Sequence, residues 1–400
     1  MMLLSLLATL VAFLSFAGLG QAVAQQGGGN GGDGVGQQSK SRIATTATRA
    51  STTAPEAAVS TSTVACNNSP LLCSRNYNNI THMGAHDSAF LRDSSTSFTV
   101  SGNQFYNATV ALSAGIRLLQ AQVHNQNGTL ELCHTTCTLL DAGTLETFLK
   151  EIKTWMDANT NEVVTLLLVN SDDESAATFG SVFASSGISI YGYTPTSTTG
   201  PVSTWPTLRT LITANTRLVT FIASITYDST YPYLLTEFDY VFETAFGVSS
   251  LSGFNCTLSR PTSLSSSSSS SAISSGYMGL VNHFADTVEV FGISIPDVTD
   301  IATTNSASTN TTGALGAHGT ECKSEWGTKP TFILVDFWNV GPAIKTADQL
   351  NGITATGRTS VTTAELTASS SFGVKGDPRS SCAIAGTAMA ALAIVNFVCL

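Results

Sequence analysis

Apolar residues divide the chain into a patterned interior and two apolar ends. Residues 80–85 read as a first strand. A helix is predicted over 103–114, where Phe105, Val110 and Leu112 share a face and Gly115 stops it. Residues 116–123 alternate apolar and polar positions and read as a second strand. Over 144–157, Leu145, Phe148, Leu149, Ile152, Trp155 and Met156 recur at i, i+3, i+4, i+7 spacing, which predicts an amphipathic helix. Residues 163–169 and 218–223 are apolar runs of strand length, as expected of strands covered on both faces. A short helix is predicted over 208–214, later strands over 240–243, 279–282 and 331–336, and a last helical turn over 348–353. Strands alternating with helices imply a parallel sheet. The folded region, 66–355, suits an α/β fold of the TIM (β/α)8 barrel type, in which catalytic groups sit at the C-terminal ends of strands.

The ends carry addresses rather than fold. Residues 1–24 read as a secretory signal peptide ending in Gln21-Ala22-Val23-Ala24, although the usual positive n-region is missing. Residues 25–65 are rich in Gly, Gln, Ser and Thr and read as a disordered, O-glycosylated leader. Residues 356–381 form a Ser/Thr-rich stalk with small residues at Ser369, Ser370, Ser371 and Gly373 and a polar spacer over 375–381. The apolar tail, 382–400, completes a GPI-attachment pattern, preferred to a transmembrane helix because no basic residue follows it. Residues 263–275 are almost all serine and read as a flexible surface insertion.

Composition narrows the partners. With 27 acidic against 17 basic residues the net charge is −10, and no basic stripe suggests nucleic acid. A monomer on a cell surface or cell wall is expected. Of eight cysteines, Cys382 and Cys399 belong to the tail. The even remainder in an exported chain argues for disulfides. Short spacing favours Cys66–Cys73 and Cys133–Cys137, which leaves Cys256–Cys322. Asn67, Asn107, Asn127, Asn255 and Asn310 open N-x-Ser/Thr patterns and are candidate glycosylation sites; Asn79 opens another but lies beside the first strand.

The candidate chemistry lies in Thr81-His82-Met83-Gly84-Ala85-His86-Asp87-Ser88 and in Cys133-His134-Thr135-Thr136-Cys137. Two histidines flanking one bond suit acid–base cleavage of a phosphodiester: one takes the proton of the attacking hydroxyl, the other protonates the leaving oxygen. His86, Gln120 to His124, Asn170 and Asp336 all fall at or near predicted strand ends.

These segments, with Gly115-Ile116-Arg117-Leu118-Leu119-Gln120-Ala121-Gln122, residues 155–169 and Leu334-Val335-Asp336-Phe337-Trp338-Asn339, resemble the phosphatidylinositol-specific phospholipase C-like phosphodiesterases, most closely their secreted fungal branch. The resemblance implies a distorted TIM barrel acting on a phosphoinositide or glycosylated inositol lipid. It makes His86 the general base and His134 the general acid, with Asp87 in support and Asp336 orienting His86. A cyclic inositol phosphate would be the first product. His82, on the same strand face as His86, is expected to support the site, and Asn170 and Trp338 to line a substrate pocket. His124 reads as a mouth or solvated residue, His318 as a surface one, and Asp172-Asp173-Glu174 as a solvated loop.

The chain departs from the family on its second strand. Metal-dependent relatives place calcium-binding acids there, and metal-free bacterial relatives an arginine; Gln120 and Gln122 stand there instead. Glutamine donates hydrogen bonds to phosphate without bringing charge. No set of oxygens for a calcium site can be assembled, so no cofactor is expected, with calcium or magnesium left open. Arg117 faces away from the glutamines, and Arg92 is a looser candidate for the missing cation. The rival reading is a barrel that has lost catalysis and binds a cell-wall or surface ligand.

Overall fold

The computed structural model describes residues 64–288 and 294–361. The expected signal peptide, nearly all of the leader, most of the stalk and the tail lie outside the described residues. In chain order the strands are β1 (His82–Ala85), β2 (Leu118–Gln126), β3 (Thr129–Cys133), β4 (Asp141–Thr144), β5 (Val164–Asn170), β6 (Leu218–Ala223), β7 (Leu234–Thr236), β8 (Val241–Glu243), β9 (Met278–Asn282), β10 (Asp286–Val288), β11 (Ser294–Pro296) and β12 (Phe332–Val335). The helices are α1 (Ala108–Ala114), α2 (Leu145–Ala158), α3 (Ala176–Ser185), α4 (Leu208–Thr213), α5 (Glu237–Tyr240), α6 (Ser269–Ser274), α7 (Ile301–Thr304), α8 (Leu315–Trp326) and α9 (Ala343–Asn351).

Eight strands form a parallel sheet in the order β7-β6-β5-β2-β1-β12-β9-β8. With β1 in the middle and β12 beside it, the chain closes back on its start as in a TIM barrel. The barrel is distorted in two places. Among the described residues no ladder joins β7 to β8, and no helix separates β6 from β7. An antiparallel β2-β3-β4 extension rises from the rim and carries His134 just past β3.

Side-chain parity sorts the core into two layers. Leu118, Leu167, Phe221, Leu280, Phe332 and Leu334 pack with one another, and Leu119, Leu166, Ile222, Val281, Ile333 and Val335 pack with residues of the helices. Successive side chains of a strand point to opposite faces, so the first set fills the barrel and the second lies beneath the helices. Gln120 and Gln122 share the interior parity of Leu118. Arg117 has the outward parity, and its guanidinium is spent on Glu162 and the Leu112 and Ile116 carbonyls. Gly84 is glycine because a Cβ there would meet Leu118 and Leu334 side-chain carbons at 2.8 Å.

Several expectations need correction. The first helix begins at Ala108, not residue 103, because the Asn107 side chain accepts from the Val110 amide and caps it there. Half of the serine-rich insertion is helix α6, capped by Ser268 and anchored by buried Ala272. The last helix is a full element, α9, rather than a turn. Residues 356–361 continue the fold beyond the expected boundary: Arg358 pairs with Asp348 at 2.6 Å and the Thr359 amide donates to the Ser113 carbonyl. His318 is buried on α8, where its Nδ1 meets that of His283 at 2.9 Å, and the pair ties the end of β9 to that helix.

The disulfides are Cys66–Cys73, Cys133–Cys137 and Cys256–Cys322. Asn67 is no glycan acceptor: it is buried, and its carboxamide both accepts from and donates to the Val163 backbone. Asn107, Asn127, Asn255 and Asn310 are exposed, as is Asn79, which holds Lys329 at the far end of β1 from His86.

The Cys256–Cys322 bridge closes a separation of 66 residues and Cys133–Cys137 one of 4. Loop-closure entropy then predicts that replacing the first pair with alanine costs about 4 kcal/mol and the second about 2 kcal/mol. Urea unfolding of the two double variants measures both values, and the order should not reverse.

Candidate active site

The site is built at the C-terminal ends of β1, β2 and β12. His86 leaves β1 with its amide bonded to the Val335 carbonyl, and its Nδ1 lies 2.9 Å from Asp336 Oδ1. Asp336 follows β12 directly. Asn103 donates to the same carboxylate oxygen at 3.1 Å, and Gln104 donates to the His86 carbonyl at 2.6 Å. Phe337, next along, has φ 42°. That is an uncommon conformation for a bulky residue, costing about 1–3 kcal/mol. Asn305 holds it there by donating to the Asp336 and Phe337 carbonyls at 2.9 and 3.1 Å.

Asp87 turns the chain with φ 45°, a left-handed conformation that aspartate tolerates better than most side chains. Its amide donates to Gln120 Oε1 at 2.6 Å. The turn brings its carboxylate between the two imidazoles. Asp87 Oδ2 lies 3.7 Å from His86 Nε2 and 3.3 Å from His134 Nε2, and accepts from Gln122 Nε2 at 2.9 Å. Gln122 Oε1 accepts in turn from the Thr135 amide at 2.9 Å. Gln122 is therefore a strut between Asp87 and the His134 loop rather than a free phosphate donor. Gln120 has no protein partner for its amino group among the described residues.

Aromatic rings fix the imidazoles. Phe284, just past β9, lies flat on His86 with centroids 3.7 Å apart, and Phe90 meets His134 edge-on at 5.2 Å. His86 is 15% exposed and His134 10%, while Asp87 and Asp336 are buried. Burial disfavours the charged imidazole of His86, but Asp87 and then Asp336 outweigh it and push the ring up to about 9. Burial also disfavours the Asp87 anion, yet His86, His134 and Gln122 hold its carboxyl below the usual range. Asp286, opening β10, is pushed up to about 6 by burial and by Asp336, against the pull of His86 and His134.

The structure thus brings together His86, Asp87, Gln120, Gln122, His134 and Asp336. It leaves three expected residues outside. His82 shares the strand face of His86 but sits at the other end of β1, about 13 Å away. Its ring lies against Tyr77 and Phe332, and burial lowers its pKa to about 4. Asn170 uses its carboxamide on Glu174 and the Ser224 carbonyl and shapes a loop. Trp338 is buried in the outer layer beside Tyr106. Asp172 faces His124 Nδ1 at 3.4 Å and accepts from the Asn125 amide, so that loop is latched to β2. Among the described residues the only clustered trio of metal-ligating types is Cys256, His318 and Cys322, whose sulfurs form a disulfide. Asn103, Gln104, Phe284 and Asp286 escaped sequence reading. Phe284 and Asp286 follow a strand end, where the same positional rule would have found them.

The family model described as PI-PLC X 1 matches residues 72–351. A PI-PLC X domain-containing protein 1 of Arthroderma benhamiae is 38% identical over 283 residues, 70% of this chain and 87% of that protein. An uncharacterized secreted protein of the same fungus is 33% identical over 308 residues, 75% of this chain and 67% of that protein. Among solved structures, the phosphatidylinositol-specific phospholipase C of Listeria monocytogenes aligns with TM-score 0.46 and 14% identity, over 71% of this chain and 96% of that one.

His86 should titrate near pH 9 by NMR, and Asp336→Asn should lower that midpoint. Its folded pKa lies above the ordinary 6.5, so its contribution to stability is complete below pH 6.5 and is lost as pH rises to about 9. A midpoint near 6.5 in the native protein would show that the carboxylates do not hold the proton.

Proposed function

The chain belongs to the phosphatidylinositol-specific phospholipase C X-domain family, and from that premise we propose a secreted, surface-anchored phosphodiesterase acting on inositol phospholipids or their glycosylated forms. The supporting observation is one buried carboxylate, Asp87, facing two imidazoles, one of them backed by Asp336. In the reaction, deprotonated His86 takes the proton of a hydroxyl adjacent to the phosphate. That oxygen forms a bond to phosphorus, the bond to the lipid oxygen breaks, and His134 protonates the departing oxygen. Gln120 offers its amino group to a phosphate oxygen. The product is a cyclic phosphate. Export is supported by the signal-peptide pattern and by a relative named as secreted; anchoring rests on the tail pattern.

The acidity of the site sets a condition. At neutral pH the empty site holds His86 protonated, so the base form grows in as pH approaches 9. The pH dependence of kcat/KM reports the free enzyme, and its rising limb should lie well above 6.5. The rival reading, a barrel that binds without turnover, draws on the lack, among the described residues, of any lysine or arginine paired with these carboxylates.

The test uses phosphatidylinositol and a GPI-anchored reporter in EDTA. Release of phosphorylated inositol should fall by about 10²–10⁴ in His86→Ala and His134→Ala, with circular dichroism unchanged. Turnover that persists in both variants, or ligand binding without turnover in the native chain, removes the mechanism.

A further inference from the structure

Three carboxylates lie at or beside this site, and among the described residues no lysine or arginine pairs with any of them. Asp87 and Asp336 face the histidines. The third, Asp286, is half-buried at the start of β10 and senses Asp336, His86, His134 and Asp87 electrostatically. Its backbone is fixed from two sides: its amide donates to the Val248 carbonyl at 2.8 Å, and the neighbouring Ala285 carbonyl accepts from the Asp297 amide at 2.8 Å. Two residues earlier, Phe284 lies on the His86 ring. The Asp286 carboxylate itself has no hydrogen bond or ion pair with any described residue.

Two arginines are committed elsewhere. Arg117 serves Glu162 on the outer face, and Arg260 serves Glu243. Arg92 is buried on the loop after Phe90 and has no carboxylate partner among the described residues. The unfilled buried atoms around His86 are mostly acceptors: Asp87 Oδ1, Asn103 Oδ1 and Asp336 Oδ2 lack donors. A phosphodiester adds another negative charge to this set, and like charges brought together are costly. Among the described residues no three carboxylates or histidines at this site are close enough together to hold a divalent ion.

We infer that the preferred substrate brings its own cation: an ammonium group next to the scissile phosphodiester, as on an amino-sugar-substituted inositol phospholipid, seated on the Asp286 carboxylate. This rests on the phosphodiesterase reading above. Asp286 is thereby a specificity residue. The ammonium compensates the phosphate charge and supplies donors to a site built of acceptors. A neutral hydroxyl in its place supplies the donors without the charge.

The full chain would be assayed in EDTA on three lipids: phosphatidylinositol, its glucosaminyl-substituted form and the isosteric glucosyl form. The amine-bearing lipid should be cleaved with kcat/KM about tenfold or more above the glucosyl lipid, the scale of a charged hydrogen bond. In Asp286→Asn that ratio should collapse towards one. Equal rates on the amine and hydroxyl lipids overturn the inference and leave the phosphodiesterase intact. So does a preference that survives Asp286→Asn, or one that disappears only in Arg92→Gln. Turnover that needs added calcium also overturns it, since a metal is then the missing cation. No turnover on any lipid, with or without metal, removes the phosphodiesterase reading itself.

Discussion

The Asp87 carboxylate is the point on which the site is assembled. Buried charge is tolerated only when paired and hydrogen-bonded, and Asp87 meets that condition by drawing in residues from separate parts of the chain. His86 is its neighbour, Gln122 comes from inside β2, and His134 arrives on the β3–β4 extension. The left-handed turn at Asp87 is what allows one carboxylate to reach all three. The bond from its amide to Gln120 holds that turn against β2. The rim extension, the glutamine strut and the buried turn are parts of one arrangement.

A second carboxylate is held by different means. Asp336 sits between a strand that fixes its backbone and a strained Phe337 that Asn305 restrains. Strain of this kind persists only where surrounding contacts over-determine it. Here those contacts come from the loop after β1 and the segment after α7, which both close over the end of β12. The barrel can be open between β7 and β8 because the site is built on β1, β2 and β12, in the middle of the sheet order.

Much of the frame was legible because barrel strands advertise themselves. The runs at 163–169 and 218–223 are apolar on both faces, and α2 carries an unbroken apolar stripe. Periodicity finds such elements. It missed α3 and α8, whose small residues Ala, Gly and Ser give little contrast between faces, and it missed α6, which is serine throughout one face. At the site, parity assigned Gln120 and Gln122 inward and Arg117 outward. Parity alone misplaced His82, because it reports the face of a strand and not the height along it. Asn103 and Gln104 were hidden for another reason. Their work is hydrogen bonding across the fold, Asn103 to Asp336 and Gln104 to the His86 and Val335 carbonyls, and no local pattern records partners such as Asp336 and Val335, more than two hundred residues away.

The Cys133–Cys137 bridge surrounds His134 with a covalent ring of five residues. Such bonds form where thiols are oxidised and are rare in reducing compartments. The histidine on one side of the site is therefore locked into its loop only once the two thiols have been oxidised. A loop closed by oxidation makes the geometry of the site depend on the redox history of two sulfurs as well as on folding.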